Sequence, residues 1–468
     1  MANRIARIEN ITIENFKNVT QGTLDFENKR KDYKASVLGL YGQNGSGKTA
    51  LIDAIQLLKF ALCGKAIPKK YADYINVDAE YAVLKYELVV RYAEIVYSVW
   101  YQFSMRKVID ESATSSDETA NVNATTKVEM FDEVLSFSYE SETDKMRKAS
   151  LIDTRTEELF APKAKMQELI GDDKEKYMDL LVTKRLTKAT SRSFIFSREL
   201  INQYRKNCKN ELYMKLIEGL YTFGNRELFI IDTESIGLIS LNTLPLTFKY
   251  KHGVSETYGS LLLSLNGPTL IPEDMYGVVE NVIANMNIVL EQLVPGLRIG
   301  VVDLGGTMTK DGKIAKQIQL MSLKNNKQIP FCYESEGIKK IVSVLQLLIV
   351  VYNNPSVTVA IDELDGGVFE YLLGEMLNII SEKGKGQLIF TSHNLRPLET
   401  IDKGFIAFTT TNPKMRYIRL TNVKGTNNLR DFYYRDIVLG EQSEQVYNPT
   451  NNFEIALAFR EAGEAFGS

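Results

Sequence analysis

The stretch SVLGLYGQNGSGKTAL at residues 36–51 decides the fold. Residues 36–41 form a short apolar run that leads into a glycine, which is typical of a buried strand. Residues 42–49 match the pattern G-x-x-x-x-G-K-[S/T] completely, and TALIDAIQLLKF then shows the apolar spacing of a helix. A strand, a glycine-rich loop and a helix in this order predict an α/β fold whose loop, a P-loop, binds phosphate.

The residue types of this loop suit the phosphates and the metal of ATP. Its glycines let successive backbone N–H groups point inward, and the dipole of the following helix attracts an anion. We expect Lys48 to carry positive charge to the β and γ phosphates and the Thr49 hydroxyl to bind Mg²⁺. The alternative is a glycine-rich turn that matches by chance, which the flanking strand and helix disfavour. The predicted ATP-binding residues are Gly42, Gln43, Asn44, Gly45, Ser46, Gly47, Lys48 and Thr49.

Two adjacent carboxylates follow a second apolar run far along the chain. Residues 357–361, VTVAI, lead into Asp362 and Glu363. A P-loop needs a carboxylate at the end of a neighbouring strand to hold the metal, and hydrolysis needs a group that orients the attacking water. We therefore predict that Asp362 holds Mg²⁺ and that Glu363 is catalytic. An acidic turn at a strand end is the alternative.

Two further segments extend this pattern. Ser335 and Gly337 precede the apolar helix IVSVLQLLIVV and are suited to contacting a γ-phosphate through a hydroxyl and a backbone N–H. A helix N-cap accounts for this serine-glycine motif, residues 335–337, equally well. The apolar run QLIFT leads into His393, and a lone histidine at such a place is usually structural.

The order of these four segments resembles the ABC-type ATPase heads of the SMC, RecF and OLD-like class. The resemblance implies a head-to-head dimer in which Ser335 and Gly337 of one subunit cap ATP held by the P-loop of the other. It also allows a higher oligomer such as a hexamer. The motif reads ESEGIKK and departs from the LSGGQ form of transporters, which favours the OLD-like and RecF-like branch. The sequence does not identify the glutamine that links nucleotide state to the lobe interface in such heads. Gln102 is a candidate, but an ordinary strand residue is the better interpretation of it.

The same resemblance implies roles for the acidic residues and the histidine. Asp362 positions Mg²⁺, Glu363 activates water, and His393 senses the γ-phosphate. Asp365, in ELDGG, falls where such heads place a loop that communicates between subunits. The implied cofactors are ATP and Mg²⁺.

Composition restricts the class of protein. A net charge of −3 argues against a protein that coats nucleic acid through its overall charge. Three scattered cysteines give no sign of a disulfide framework, and two histidines argue against a histidine-rich metal nuclease. The amino terminus has no apolar stretch of signal-peptide length and the chain has no long apolar run, so we expect a cytoplasmic protein with no membrane contact.

The length of 468 residues predicts several lobes. We expect the first part of the ATPase head, with antiparallel strands, at 1–150 and a helical insertion at 151–258. The second part of the head is expected at 259–424 and a tail with a helix at 425–468. The polar stretch 110–126 is predicted to be a loop. The helical range lacks a sustained apolar heptad repeat, so no long coiled coil is expected.

The architecture also resembles a more specific group. Residues 421–468 show no DxD element of a TOPRIM nuclease, so no intrinsic nuclease domain is expected. A compact head with a short helical insertion is similar to the stand-alone ATPase subunits of two-gene bacterial anti-phage systems, such as AriA of PARIS and the AbiL ATPase. That resemblance implies an abortive-infection sensor whose ATP-dependent assembly controls a separate toxic nuclease effector. A phage-encoded trigger protein would release the effector.

A DNA-repair clamp of the RecF type is the rival function. The segment KRLTKATSR carries the basic residues Lys184, Arg185, Lys188 and Arg192, which are candidates for contacts with DNA phosphates. On a charged helical lobe, a solvated face explains such residues at least as well.

Overall fold

The computed structural model describes residues 4–26, 35–110, 125–252, 255–308, 312–325, 327–421, 428–440 and 442–465. Apart from its ends, the polar stretch predicted as a loop at 110–126 lies outside the described residues. No helix among the described residues is both long enough and apolar enough to cross a membrane.

The strands are, in chain order, β1 (Ile5–Phe16), β2 (Val19–Asp25), β3 (Ser36–Tyr41), β4 (Tyr81–Arg91), β5 (Ile95–Ile109), β6 (Thr126–Ser141), β7 (Lys145–Asp153), β8 (Leu228–Ile231), β9 (Thr243–His252), β10 (Ser255–Ser264), β11 (Thr269–Pro272), β12 (Leu297–Met308), β13 (Ile314–Lys324), β14 (Lys327–Pro330), β15 (Thr358–Ile361), β16 (Gln387–Thr391), β17 (Ile406–Thr409) and β18 (Tyr417–Ile418). The helices are α1 (Lys48–Leu62), α2 (Lys163–Ile170), α3 (Lys174–Ala189), α4 (Arg198–Asn207), α5 (Glu211–Thr222), α6 (Thr233–Ser240), α7 (Glu273–Leu293), α8 (Glu336–Asn353), α9 (Glu370–Lys383), α10 (Pro397–Thr400), α11 (Leu429–Leu439) and α12 (Asn452–Ala465).

One six-stranded sheet carries the predicted P-loop at the carboxyl end of β3, an inner strand. Its order is β18-β17-β3-β16-β15-β8, and every neighbouring pair is parallel except β17 with β18. All residues of β3, β15 and β16 are buried. A parallel sheet covered on both faces is built from continuous apolar runs, which is why these strands stand out in the sequence.

A second six-stranded sheet is antiparallel, in the order β2-β1-β4-β5-β6-β7. Buried and partly exposed residues alternate along much of β5, as expected for a sheet with one covered face. Helix α1 packs against β1 of this sheet and against β8, β15 and β16 of the parallel sheet. Because α1 lies between two sheets, it is apolar on nearly all sides, with Leu51, Leu57 and Leu58 fully buried.

A third group of elements packs around α7 and the first half of α8. Helix α7, the strands β11 to β13 and the hairpin of β9 with β10 share one apolar cluster with the first half of α8. The prediction of an α/β P-loop fold with an antiparallel β subdomain is confirmed by these sheets.

The helical lobe is shorter than the predicted range 151–258. Helices α2 to α5 span residues 163–222, but β8 then pairs in parallel with β15, and Ile231 lies opposite Ile361. The hairpin of β9 with β10 also begins inside the predicted range. The four apolar residues LFII of β8 fit a strand or a helix segment equally well, so periodicity did not separate them from the preceding helices.

Candidate active site

The P-loop, the paired carboxylates and the histidine line a single cavity of about 460 Å³. The strands before these segments, β3, β15 and β16, are neighbours in the parallel sheet, so their carboxyl ends meet at one edge. The structure thereby brings together residues that are more than three hundred positions apart in the chain. The residues that line the cavity are Lys17, Asn18, Asn44, Gly45, Gly47, Lys48, Thr49, Ala50, Asp362, Glu363 and His393.

Two glycines of the loop are required by geometry. Gly42 has φ 153°, and a Cβ atom there would lie 1.7 Å from the Oγ1 of Thr409. Gly47, at the N-cap of α1, has φ 94°, which is unfavourable for any residue with a side chain. The predicted role of the glycines in shaping the loop therefore has a direct steric basis.

Hydrogen bonds within the loop place its charged residue. Lys48 donates from Nζ to the carbonyl oxygens of Gly42 at 2.8 Å and Gln43 at 2.9 Å. The hydroxyl of Ser46 donates to the same Gln43 carbonyl at 2.6 Å. Burial lowers the pKa of Lys48, and the nearby carboxylates Asp362 and Glu363 oppose that shift. An ammonium held over the loop in this way is suited to neutralising the β and γ phosphates of a bound nucleotide.

Residues from three distant segments form hydrogen bonds with the loop, and none of them was predicted from sequence. The side-chain amide of Asn18, in the turn between β1 and β2, donates to the Gly45 carbonyl. Tyr417 of β18 donates its hydroxyl to the Gly47 carbonyl at 2.9 Å. The backbone N–H of Asn448 donates to the Gln43 side-chain oxygen at 2.8 Å. These contacts arise from tertiary structure and leave no local pattern that sequence reasoning can use.

Lys17 adds a second cation to the cavity wall. Its ammonium forms an ion pair with Asp53 of α1 and lies 4.0 Å from the ring centroid of Tyr74. Burial raises the pKa of Asp53, and Lys17 opposes that shift. Lys17 is therefore held by Asp53 and Tyr74 at the wall of the cavity.

Asp362 is held by two threonine hydroxyls. Only 1% of the residue is exposed, its Oδ1 accepts from Thr391 at 2.5 Å, and its Oδ2 accepts from Thr233 at 2.7 Å. The Thr391 hydroxyl also accepts from the backbone N–H of Glu363 at 2.8 Å. One hydroxyl at the end of β16 thus orients both predicted acidic residues. The sequence showed neither threonine as a site residue, and Thr233 was missed because β8 was assigned to the helical lobe.

The Asp362 carboxylate and the Thr49 hydroxyl line the same cavity, which fits the hard oxygen ligands that Mg²⁺ prefers. When bound beside phosphates, this cation supplies Lewis-acid stabilisation of the charge on the phosphoryl oxygens. The residues that would hold it are therefore Thr49 directly and Asp362 directly or through water.

Glu363 has an unusual backbone conformation. Its φ is 45°, in the left-handed region that residues with side chains rarely adopt, and its carbonyl accepts from Gly366 N–H at 3.1 Å. Such a conformation costs about 1 to 3 kcal/mol and clusters at functional sites. The turn makes Glu363 part of the cavity wall beside Asp362, where its carboxylate can orient a water molecule.

Asp365 fixes the loop that carries the histidine. Its Oδ2 accepts from the backbone N–H groups of His393 at 3.0 Å and Asn394 at 2.9 Å. Burial, followed by the charge of Lys48, lowers the pKa of His393 below its ordinary value, which favours the neutral imidazole. A neutral imidazole at this edge can donate a hydrogen bond to a phosphate oxygen. Asp365 acts within the same chain as a positioning residue for this loop.

The structure does not place Ser335 and Gly337 in the cavity. Ser335 is the N-cap of α8, and its hydroxyl accepts from Ile338 N–H at 3.4 Å. A Cβ atom on Gly337 would lie 2.2 Å from the carbonyl oxygen of Gly367, so the motif packs tightly against the loop that follows Asp365. Contact with an ATP molecule held by a second subunit remains a prediction for both residues.

Gln102 is not among the described residues that line the cavity. It lies within β5, opposite Lys85 of β4 and Val134 of β6. Gln102 is thus a strand residue, and a role in linking nucleotide state to the lobe interface stays a prediction.

We expect Thr391→Val to leave ATP affinity within about threefold and to lower kcat by about 10 to 100-fold, because both acidic residues lose their shared hydroxyl. Thr358→Val is the matched control, since it removes another buried hydroxyl of the same sheet, one that donates to Gln387 at 3.0 Å. Steady-state hydrolysis and nucleotide-binding titrations measure both effects. Equal kcat values for the two variants would contradict the orienting role of Thr391.

Comparison with known proteins gives one family match and several distant structural resemblances. Residues 10–218, fewer than half of the chain, match the family model described as an AAA domain. No curated protein matches the chain significantly. Together with the cavity, the family match indicates that this region is similar to AAA-type nucleotide-binding domains.

Three solved structures resemble most of the chain's length. The Smc head domain of Pyrococcus furiosus, bound to the C-terminal domain of ScpA, is 12% identical with a TM-score of 0.38, covering 89% of this chain and 96% of its own. The recombination mediator protein RecF is 12% identical with a TM-score of 0.35; the match covers 89% of this chain and 98% of RecF. The SMC head domain of Thermotoga maritima is 13% identical with a TM-score of 0.34, covering 88% and 99%. Resemblance at this level is distant and is not evidence for a shared function.

Proposed function

We propose that this protein is an ATP-hydrolysing switch of the SMC and RecF-like type. The observation that carries the proposal is the cavity in which the P-loop residues Lys48 and Thr49 face Asp362, Glu363 and His393. Positive charge for phosphates, oxygen ligands for Mg²⁺ and a carboxylate for water are the groups that phosphoryl transfer to water requires.

Each group has a task in the proposed reaction. Backbone N–H groups of the loop and the Lys48 ammonium hold the β and γ phosphates. Glu363 accepts a hydrogen bond from the attacking water and takes up its proton as the water attacks the γ phosphorus. The bond from the γ phosphorus to the β–γ bridging oxygen breaks in the same step, and ADP leaves with that oxygen. Neutral His393 donates to a γ-phosphate oxygen and so distinguishes ATP from ADP.

The proposed site is completed by a second copy of the chain. Ser335 is exposed at the start of α8, and the first N–H groups of that helix lack carbonyl partners within it. A helix N-terminus with a serine N-cap is suited to a γ-phosphate, yet the motif lies outside its own chain's cavity. A head-to-head dimer would place it on the nucleotide of the partner.

For the biological role, we propose the sensor of a two-gene anti-phage system. This rests on the resemblance of the compact head and short helical lobe to such ATPase subunits. Two exposed apolar surfaces are available for the nuclease effector, the trigger or further copies. On α3, Met178, Val182 and Leu186 are spaced four residues apart and are more than half exposed. On α12, Phe453 and Phe459 are 76% and 77% exposed.

The rival DNA clamp is disfavoured by the contacts of its basic residues. Lys184 donates to the carbonyl oxygens of Thr156 at 2.9 Å and Glu158 at 2.7 Å, so it holds a loop of the helical lobe. Lys188 lies 3.5 Å from Glu129 in an ion pair. Both ammonium groups are therefore already engaged within the fold, and only part of the predicted basic surface is free for DNA phosphates.

We expect Lys48→Ala to weaken ATP binding by at least about a hundredfold, because the ammonium over the phosphates is lost. We expect Glu363→Gln to preserve ATP binding within about threefold and to lower kcat by more than about a hundredfold, because the amide cannot take up a proton. Nucleotide titration and phosphate release measure the two parameters. An undiminished kcat in Glu363→Gln would remove Glu363 from the catalytic role.

DNA binding separates the two functions. If the protein is a switch for an effector, the fourfold variant with Lys184, Arg185, Lys188 and Arg192 changed to Gln should hydrolyse ATP like the wild type, and neither should bind duplex DNA upon ATP addition. Fluorescence anisotropy at several salt concentrations measures this binding. ATP-dependent binding by the wild type that the fourfold variant loses would favour the clamp.

A further inference from the structure

Two buried polar atoms behind the cavity have no hydrogen-bond partner among the described residues. They are the Nζ of Lys340, on the first turns of α8, and the Oδ1 of Asp365. Only 2% of Lys340 is exposed. Buried polar atoms are nearly always paired, and an unpaired buried ammonium is among the most costly groups in a fold.

The two residues lie where α8 meets the loop of the catalytic carboxylate. The start of α8 packs against that loop, since Gly337 is in close contact with the carbonyl of Gly367. The loop is folded on itself by the bond from Val368 N–H to the Asp365 carbonyl at 3.0 Å. Asp365 is also bonded to the backbone of His393. Asp365 therefore belongs to the loop that contacts the helix of the serine-glycine motif, and it is hydrogen-bonded to the segment of His393.

Electrostatics connects Lys340 with the same groups. Burial lowers the pKa of Lys340 to about 8, and the charges of Asp365, Glu363 and Asp362, in that order of strength, oppose the shift. Asp365 is thus the carboxylate that attracts this ammonium most strongly. A buried ammonium retained at such a cost, beside a site of hydrolysis, is more typical of a functional group than of a stabilising one.

We propose that Lys340 is a positioning residue that couples α8 to the loop carrying Glu363 and Asp365. Resting on the proposed function, this inference assigns α8 two tasks: its first residues bind the ATP of a second copy, and Lys340 relays that contact to the chain's own carboxylates. A shift of α8 changes the distance between the Lys340 ammonium and Asp365, and with it the placement of Glu363 and His393. The two ATP sites of a dimer are then coupled through the protein.

The test compares Lys340→Met with Lys339→Met. Lys339 is also buried on α8, but its ammonium donates to the side-chain oxygen of Asn242 at 3.3 Å. We expect Lys340→Met to leave ATP affinity within about threefold and to lower kcat by about tenfold or more, because α8 loses its electrostatic link to the loop of Asp365. Lys340→Arg should restore part of kcat, and Lys339→Met should keep kcat within about threefold of the wild type. A fall in Tm with unchanged kcat in Lys340→Met would show a purely structural lysine and overturn the proposal.

A double-mutant cycle with Asp365→Asn tests the pair itself. Asparagine keeps an acceptor oxygen for the His393 and Asn394 N–H groups but removes the charge. In the nucleotide-free protein, Asp365→Asn should lower Tm more when Lys340 is present than in the Lys340→Met background. Only when Lys340 is present does the charge of Asp365 offset a buried ammonium. Additive shifts would overturn the proposal. This cycle needs no hydrolysis, so it still decides the matter if the wild type proves to bind ATP without turnover, a result that would contradict only the proposed function.

Discussion

The parallel pairing of β3 with β16, and of β16 with β15, is the constraint on which the site depends. It places Leu40 opposite Thr391 and Ile361 opposite Phe390, so that the loops after three strands open at one edge. The residues predicted to bind phosphate, metal and water meet there because strand register, and not sequence proximity, sets their distance. A slip of one residue between these strands would separate Asp362 from the P-loop.

A buried glutamine ties this arrangement to the antiparallel sheet. Gln387, the first residue of β16, accepts from Thr358 Oγ1 at 3.0 Å and from Ile8 N–H at 3.1 Å, and its amide donates to the Ile8 carbonyl at 2.8 Å. Both sheets are thus linked at the strand ends opposite the cavity.

The parts of the site that were predictable from sequence are those that a single contiguous segment specifies. The P-loop, Asp362 and Glu363 each follow an apolar run that is typical of a buried strand. In the structure they line the same cavity. Thr233 and Thr391 were not predicted, because the carboxylate that each hydroxyl contacts comes from a distant segment of the chain. Lys17, Asn18 and Lys340 lie in segments whose local pattern reads as a turn or a helix, and only tertiary packing places them at the site. The short strand β8 was missed because four apolar residues carry too little periodicity.

Each chain holds the predicted base, loop and metal ligands of one proposed site, while the serine-glycine motif is not among the described residues that line it. That division predicts that two inactive variants can repair each other. Lys48→Ala and Ser335→Arg subunits should each hydrolyse little ATP alone, whereas an equal mixture should recover roughly a quarter of wild-type activity, since half of randomly mixed dimers contain one intact site. Phosphate release from the mixture measures this directly. A mixture no more active than its components would contradict a site shared between two copies.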